Sequence, residues 1–182
     1  MLVDKTSEIL LLAQAHGFSI VGVAAVEAMD PAPLQRWLQA GYGAEMEYLN
    51  RHLPLRANLR EVMPGACSVI CVALPYAGSR SDEGRFTVAK YARGADYHAV
   101  MRARLSALWQ EVVSTNIGAE GRIFVDSGPL PERELARRAG IGWVGEHSCL
   151  INPDFGSRFC LGEILTTLTL RPSSPIAGGC GD

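Results

Sequence analysis

Asp126 stands where a short apolar run, Ile123 to Val125, meets Ser127, Gly128 and Pro129. The large apolar residues suit a buried strand and the turn-formers after them stop it, so a carboxylate is held at a strand end. Two roles are open to it. A carboxylic acid whose burial disfavours ionisation donates a proton near neutral pH, whereas an ionised one caps the turn before the next helix. That helix opens on Pro131, Glu132 and Glu134 and closes on Arg137, Arg138 and Gly140, which fits proline at the first position and the sign of the helix dipole. Arg133, on its first turn, either positions a phosphate or an amide or stands in solvent. Gly140, Gly142 and Gly145 then alternate with Ile141, Trp143 and Val144 and lead to Glu146, His147, Ser148 and Cys149. Such a loop lets backbone approach a ligand while its tip offers donors and acceptors. His147 suits a ligand contact or a structural bond beside Trp143, and Cys149 a ligand contact or inert core.

Further along the chain, Arg51, Arg56 and Arg60 form a basic stretch that either touches phosphate or is a solvated face. Tyr91, Arg93 and Tyr97 cluster ahead of a long amphipathic pattern, where tyrosines serve as core anchors or line a site. The glycines do not spell a dinucleotide fingerprint, because no G-x-G-x-x-G opens a helix directly after a strand, so a Rossmann NAD site is excluded.

The elements that must hold these groups read as one α/β domain. A chain of 182 residues, 48% hydrophobic and 20% charged, has enough apolar residues for a sizeable core, and its net charge of -2 gives no general pull toward nucleic acid. The N-terminus lacks the basic region and unbroken apolar run of a signal peptide, and no stretch approaches a membrane span, so the reading is cytoplasmic. Five irregularly spaced cysteines argue against a disulfide framework. Cys67 and Cys71 are read as small core residues.

In order, the pattern predicts a helix capped by Thr6 and ended by His16 and Gly17, a strand over 18–26, a helix over 31–40, and a short helix over 45–50. A basic connection over 51–56 and a helical turn come next. A strand over 68–74 is β-branched and apolar enough to be buried on both faces. After a polar loop over 78–84, a strand over 86–91 leads to Asp96, which caps the longest helix, with Met101, Leu105, Leu108 and Val112 in its apolar stripe. A strand over 159–170 contains Gly162, a candidate bulge. Residues 171–182 have a linker composition, so the domain is placed at 1–170.

Three segments carry a family resemblance: YARGADYHAVMRARL (91–105), FVDSGPLPERELARRAGIGWVGEHSCLINPDFGSRFCLGEIL (124–165) and MEYLNRHLPLRANLREVMPGACSVICVALPY (46–76). Together they resemble the N-terminal domain of epoxyqueuosine reductase, over about residue 17 to the last. The resemblance implies a nitroreductase-like α/β (α+β) fold, a mixed sheet flanked by helices, shared with reductive dehalogenases. It implies an oxidoreductase of queuosine biosynthesis that reduces epoxyqueuosine to queuosine at the tRNA wobble position, with cobalamin and, in the whole protein, two 4Fe-4S clusters. By the same resemblance Asp126 is the proton donor, and Arg56, Tyr91, Asp126, Arg133, His147, Ser148, Cys149 and Leu150 surround the cofactor. Its partners are then a tRNA carrying epoxyqueuosine and an electron donor such as flavodoxin or ferredoxin, and the protein is a monomer.

The family's cluster-binding sequence opens on a cysteine where Cys180 stands, so residues 171–182 are read as a linker into an iron–sulfur domain that this chain does not include. One cysteine cannot hold a cluster that needs four thiolates. The chain departs from the family pattern at Glu146, Ser148 and Cys149, and at Arg158 and Cys160. These departures motivate a second reading, a corrinoid-binding module without tRNA reductase activity, and the fold implies a third, a flavin reductase-like enzyme.

Overall fold

The computed structural model describes residues 4–76 and 88–180. At its centre β2 (Ser68–Pro75) lies between β1 (Ile20–Ala25) and β6 (Phe159–Thr166), with β3 (Gly121–Phe124) at the far side of β6. Every pairing in this four-stranded sheet is antiparallel, so the expected mixed sheet resolves into antiparallel ladders while the α/β class stands. The six residues of β2 from Ser68 to Ala73 are all buried, as their unbroken apolar character requires of a strand covered on both faces.

Alternation along the strands divides the core in two. Ile70 and Val72 of β2 and Ile164 of β6 face α1 (Lys5–Ala15) and α5 (Tyr97–Thr115), which contribute Ile9, Ala13, Met101, Leu105, Leu108 and Val112. Val69, Cys71 and Ala73 face the opposite layer, built from α4 (Leu59–Val62) and α6 (Glu132–Arg138), with Leu59, Val62, Leu135 and Ala136. Two further helices, α2 (Ala32–Gln39) and α3 (Tyr48–Ala57), border this core without a fully buried residue. A hairpin of β4 (Trp143–Val144) and β5 (Leu150–Ile151) follows α6.

Several local expectations are corrected by long-range contacts. Asp4 rather than Thr6 caps α1, accepting from the Ser7 amide at 3.0 Å; Thr6 turns inward, where its hydroxyl accepts from the Arg171 amide at 2.8 Å. The 51–56 stretch is helical within α3, with Pro54 inside it, and Leu55 packs against the core. Residues 88–91 form no strand: Lys90–Ala92 is a 3-10 turn, while the 78–84 loop and Phe86 lie outside the described residues. The last strand ends at Thr166 because the chain turns there, with the Leu170 amide bonding to Ser68 Oγ at 3.0 Å.

Gly162 is no bulge; it pairs in register with Val72. A Cβ there would stand 2.8 Å from Met101 Cε and 2.9 Å from Leu105 Cδ1, so the glycine lets α5 settle onto β6. Beyond Leu170 the chain stays against the domain, with Ser173 bonding to both the amide and the carbonyl of Val23.

Candidate functional site

The site is assembled where the ends of three elements meet: the loop after β3, the start of α5 and the start of α6. Asp126 follows β3 with a φ of 60°, a left-handed backbone that a non-glycine residue adopts at some cost. Its carboxylate is fixed from α5. Tyr97 donates its hydroxyl to Asp126 Oδ2 at 3.1 Å, and His98 Nε2 stands 3.4 Å from the same oxygen. The other ring nitrogen of His98, Nδ1, lies 2.7 Å from Asp96 Oδ1, the residue that also caps the helix by accepting from the His98 amide. Arg102, one turn on, donates to Ser127 Oγ at 2.8 Å, so the loop after β3 is tied to α5 at both Asp126 and Ser127.

These contacts shape the local electrostatics. Partial burial, reinforced by the Asp126 charge and hydrogen bond, pushes the Tyr97 phenol well above its ordinary range, so it serves as a hydrogen-bond donor at neutral pH. The hydrogen bond to Asp96 raises the His98 imidazole; burial is the next effect in size and opposes it, and the hydrogen bond and charge of Asp126 add to the rise.

Glu132, the first residue of α6, comes next to Asp126. Burial, then the charge of Asp126, raises it to about 7, although the Asp126 amide and the nearby arginines pull the other way. Its Oε1 is buried without a hydrogen-bond partner. Deeper in, Glu163 of β6 is fully buried with both carboxylate oxygens unpartnered. Burial pushes it well above the usual carboxylate range, so it is carried neutral, as an unpaired buried carboxyl must be. Its ladder partner Cys71 is likewise raised, by burial first and then by Glu163.

Two cavities open on this group, and both are lined by Asp126 and Glu132. The larger, about 600 Å³, also takes Tyr48, Arg56, Arg133 and Ser148 into its wall. The smaller, about 210 Å³, is walled by Tyr76, Tyr91, Tyr97 and Cys160. The three tyrosines meet edge to face, with ring centroids 6.2 Å apart for Tyr76 and Tyr91 and 6.3 Å for Tyr91 and Tyr97. Arg133 donates to the Ser148 carbonyl and so ties α6 to the tip of the β4–β5 hairpin, where Ser148 has a φ of 64°. Arg56 lines the larger cavity, and its Nε is buried without a hydrogen-bond partner.

Of the residues singled out in the sequence, Arg56, Asp126, Arg133 and Ser148 share the larger cavity, and Tyr91 and Asp126 share the smaller. His147 is spent on Ser157, with Nε2 3.2 Å from Oγ. Cys149 is exposed on the hairpin, and Leu150 is buried beneath it in the core. Cys180 lies 3.4 Å from the Glu146 amide beside Trp143, apart from both cavities. Among the described residues, no three or more His, Cys, Asp or Glu side chains come together to hold a metal ion.

Sequence reasoning missed Glu132, His98, Tyr76 and Glu163. Glu132 read as an acid matched to the helix dipole and His98 as a residue behind a cap. The strand pattern gave no sign that Glu163 points into the core. The spacing of Asp96 and His98, two apart at a helix start, was the one visible signal of a shared hydrogen bond.

Comparison with known proteins bears on this geometry. Residues 56–127 match the family described as "Epoxyqueuosine reductase QueG, DUF1730". An epoxyqueuosine reductase of Gloeobacter violaceus is 40% identical over 174 residues, which cover 93% of this chain and 54% of that protein. A crystal structure of epoxyqueuosine reductase with an epoxyqueuosine-modified tRNA-Tyr stem loop has a TM-score of 0.84 at 26% identity, over 96% of this chain and 48% of the other. An epoxyqueuosine reductase of Bacillus subtilis, whose catalytic aspartate loop is swung out of its active site, gives 0.82 at 25% identity, over 96% and 48%. A reductive dehalogenase, at 20% identity and a TM-score of 0.59, shares the fold alone.

The fold is therefore the α/β fold of the epoxyqueuosine reductase structures. The chain is similar to epoxyqueuosine reductases over 93% of its own length and spans about half the length of the curated relatives it matches. None of its described helices is long and apolar enough to cross a membrane.

Proposed function

We propose that this chain is the cobalamin-binding catalytic portion of an enzyme that reduces epoxyqueuosine to queuosine in tRNA. The observation that carries the reading is the placement of Asp126. It is held in a left-handed backbone at the junction of two cavities, gripped by Tyr97 and His98, and faces Arg56 and Arg133 across the larger space. The catalytic aspartate loop named for the Bacillus subtilis relative supports assigning the proton-donating role to this position.

The residues present suit a large polar-edged macrocycle. The orphaned Arg56 Nε supplies a buried donor for an amide, Ser148 presents backbone at a hairpin tip, and Tyr76, Tyr91 and Tyr97 offer aromatic surface beside the acid. Bound cobalamin would supply the two electrons that epoxide reduction needs. The chain's own residues do the rest: Asp126 holds the proton for the departing oxygen, Tyr97 orients that carboxyl, and the basic wall attracts the nucleic-acid backbone.

In this reading residues 1–170 form the catalytic domain, and 171–182 lead toward a cluster-bearing region for which Cys180 is a ligand. The partners are an epoxyqueuosine-bearing tRNA and a flavodoxin- or ferredoxin-type donor, and the monomer works in the cytoplasm. The test is an anaerobic titration of the chain with cob(II)alamin, followed by visible absorbance, in the wild type and in Asp126→Asn. Saturable binding in both is expected, together with loss of epoxide reduction in Asp126→Asn once the cluster-bearing region is joined to the chain. Undiminished reduction in that variant would refute the assignment.

A further inference from the structure

Asp126 has 63% of its side chain exposed, an awkward position for a group that must arrive protonated at neutral pH. The neighbours of its Oδ2 resolve the difficulty. His98 reaches two carboxylates at once, Asp96 through Nδ1 at 2.7 Å and Asp126 through Nε2 at 3.4 Å. A carboxylate only accepts, so the short contact to Asp96 fixes the hydrogen on Nδ1 in every state of the ring. The space between Nε2 and Oδ2 then has room for one shared proton. With the proton on nitrogen the pair is imidazolium and carboxylate; with it on oxygen the pair is neutral imidazole and carboxylic acid.

We propose that Asp96, His98 and Asp126 form a proton-holding relay in which His98 hands its Nε2 proton to Asp126 when an apolar ligand face covers the pair. The inference rests on the proposed role of Asp126 and adds His98 as its positioning and proton-storing partner. The step is a proton transfer alone: the Nε2–H bond breaks, the Oδ2–H bond forms, and two opposite charges vanish. In water the charged arrangement is favoured. Removing water penalises two separate charges more than a neutral hydrogen-bonded pair, so cofactor binding itself loads the acid. After turnover the exposed imidazole, with 37% of its side chain open, recovers a proton from solvent.

The surroundings agree. His98 stacks on Tyr97 with centroids 4.0 Å apart, and Tyr97 donates to the same Oδ2, which holds the acceptor oxygen in line. Asp96 and Asp126 are the carboxylates acting on the ring, and both raise its affinity for a proton. Arg102 is engaged with Ser127, and Glu132 acts on the relay through Asp126 rather than on His98 directly. The 3.4 Å separation is long for proton transfer, as such contacts often are before a ligand tightens them.

The test is nitrogen-15 NMR of the histidines in the 182-residue chain, with His98 assigned by its loss in His98→Gln. Above its midpoint His98 should carry hydrogen on Nδ1, and Asp126→Asn should lower the midpoint by about half a pH unit, the size expected of an exposed pair. Asp96→Asn, which still caps the helix, should release the hydrogen to Nε2. An unchanged midpoint in Asp126→Asn, or Nε2–H in the wild type, overturns the relay. Hydroxocobalamin added one pH unit below the measured midpoint should then convert His98 from imidazolium to neutral. A visible-spectrum change with His98 still cationic refutes the transfer. No spectral change refutes the cofactor reading instead, and the midpoints still decide the pair.

Discussion

Replacing Glu132 by Gln should make the domain more stable above neutral pH and flatten its dependence on pH. Glu132 is raised from the ordinary 4.5 to about 7, by burial first and then by the charge of Asp126. An acid whose folded value exceeds its unfolded one contributes stability that is fully present below the unfolded value and lost as pH rises through the folded one. The window is therefore pH 4.5 to 7. At about 1.4 kcal/mol per tenfold change, ionised Glu132 costs the fold roughly 3 kcal/mol above pH 7.

A glutamine keeps the side chain's length and its acceptor oxygen but has no charge to desolvate. Urea denaturation followed by tryptophan fluorescence at pH 5 and pH 8 provides the assay. The wild type should lose about 2.5 kcal/mol between the two, and Glu132→Gln should recover most of that at pH 8. Comparison at each pH cancels the separate titrations of His98 and Glu163 to first order. Equal pH dependence in the two proteins would show that Glu132 is not a buried, raised acid, and the account of the cluster would fall with it.

Three further outcomes follow from the geometry. Leu105→Ala empties a fully buried position of α5 against β6 and should destabilise the domain by about 3 kcal/mol in the same denaturation assay. Glu134 is lowered to about 2 by its hydrogen bonds with Arg137 and then Arg138, each at 2.8 Å. Its carboxylate is about a third exposed, so after screening Glu134→Gln should cost about 1 kcal/mol at pH 6, a difference that vanishes as pH falls through 4 toward 2. Arg56→Ala should weaken corrinoid binding about tenfold by visible titration, because it removes the buried unpartnered donor from the cavity wall.

Much of this protein was legible in its residue order, for a physical reason that differs from place to place. The β2 run declared its burial because a strand covered on both faces has no polar positions to offer, and Asp96 declared the start of α5 because a cap is a contact within two residues. Asp126, Arg133 and Ser148 were marked by turn chemistry and glycine spacing, and they do share one cavity. The cap of α1 was misplaced because Thr6 is claimed by Arg171, and α3 ran through Pro54 because helix packing outweighed a single lost amide.

What tertiary structure alone decided is the company each acid keeps. Glu163 looks, in sequence, like a surface position in a half-exposed strand, and it becomes a neutral core acid only because α5 and α6 cover both faces of the sheet. Glu132 looks like a helix-dipole acid until the loop after β3 brings Asp126 against it. His98 lies 28 residues before the carboxylate it faces, and only the packing of α5 beside β3 closes that distance. Local sequence thus determined β2, the cap of α5 and the turn after β3, which depend on neighbours along the chain. Ionisation and proton sharing depend on burial and on distances between remote residues, and those exist only once the chain has folded.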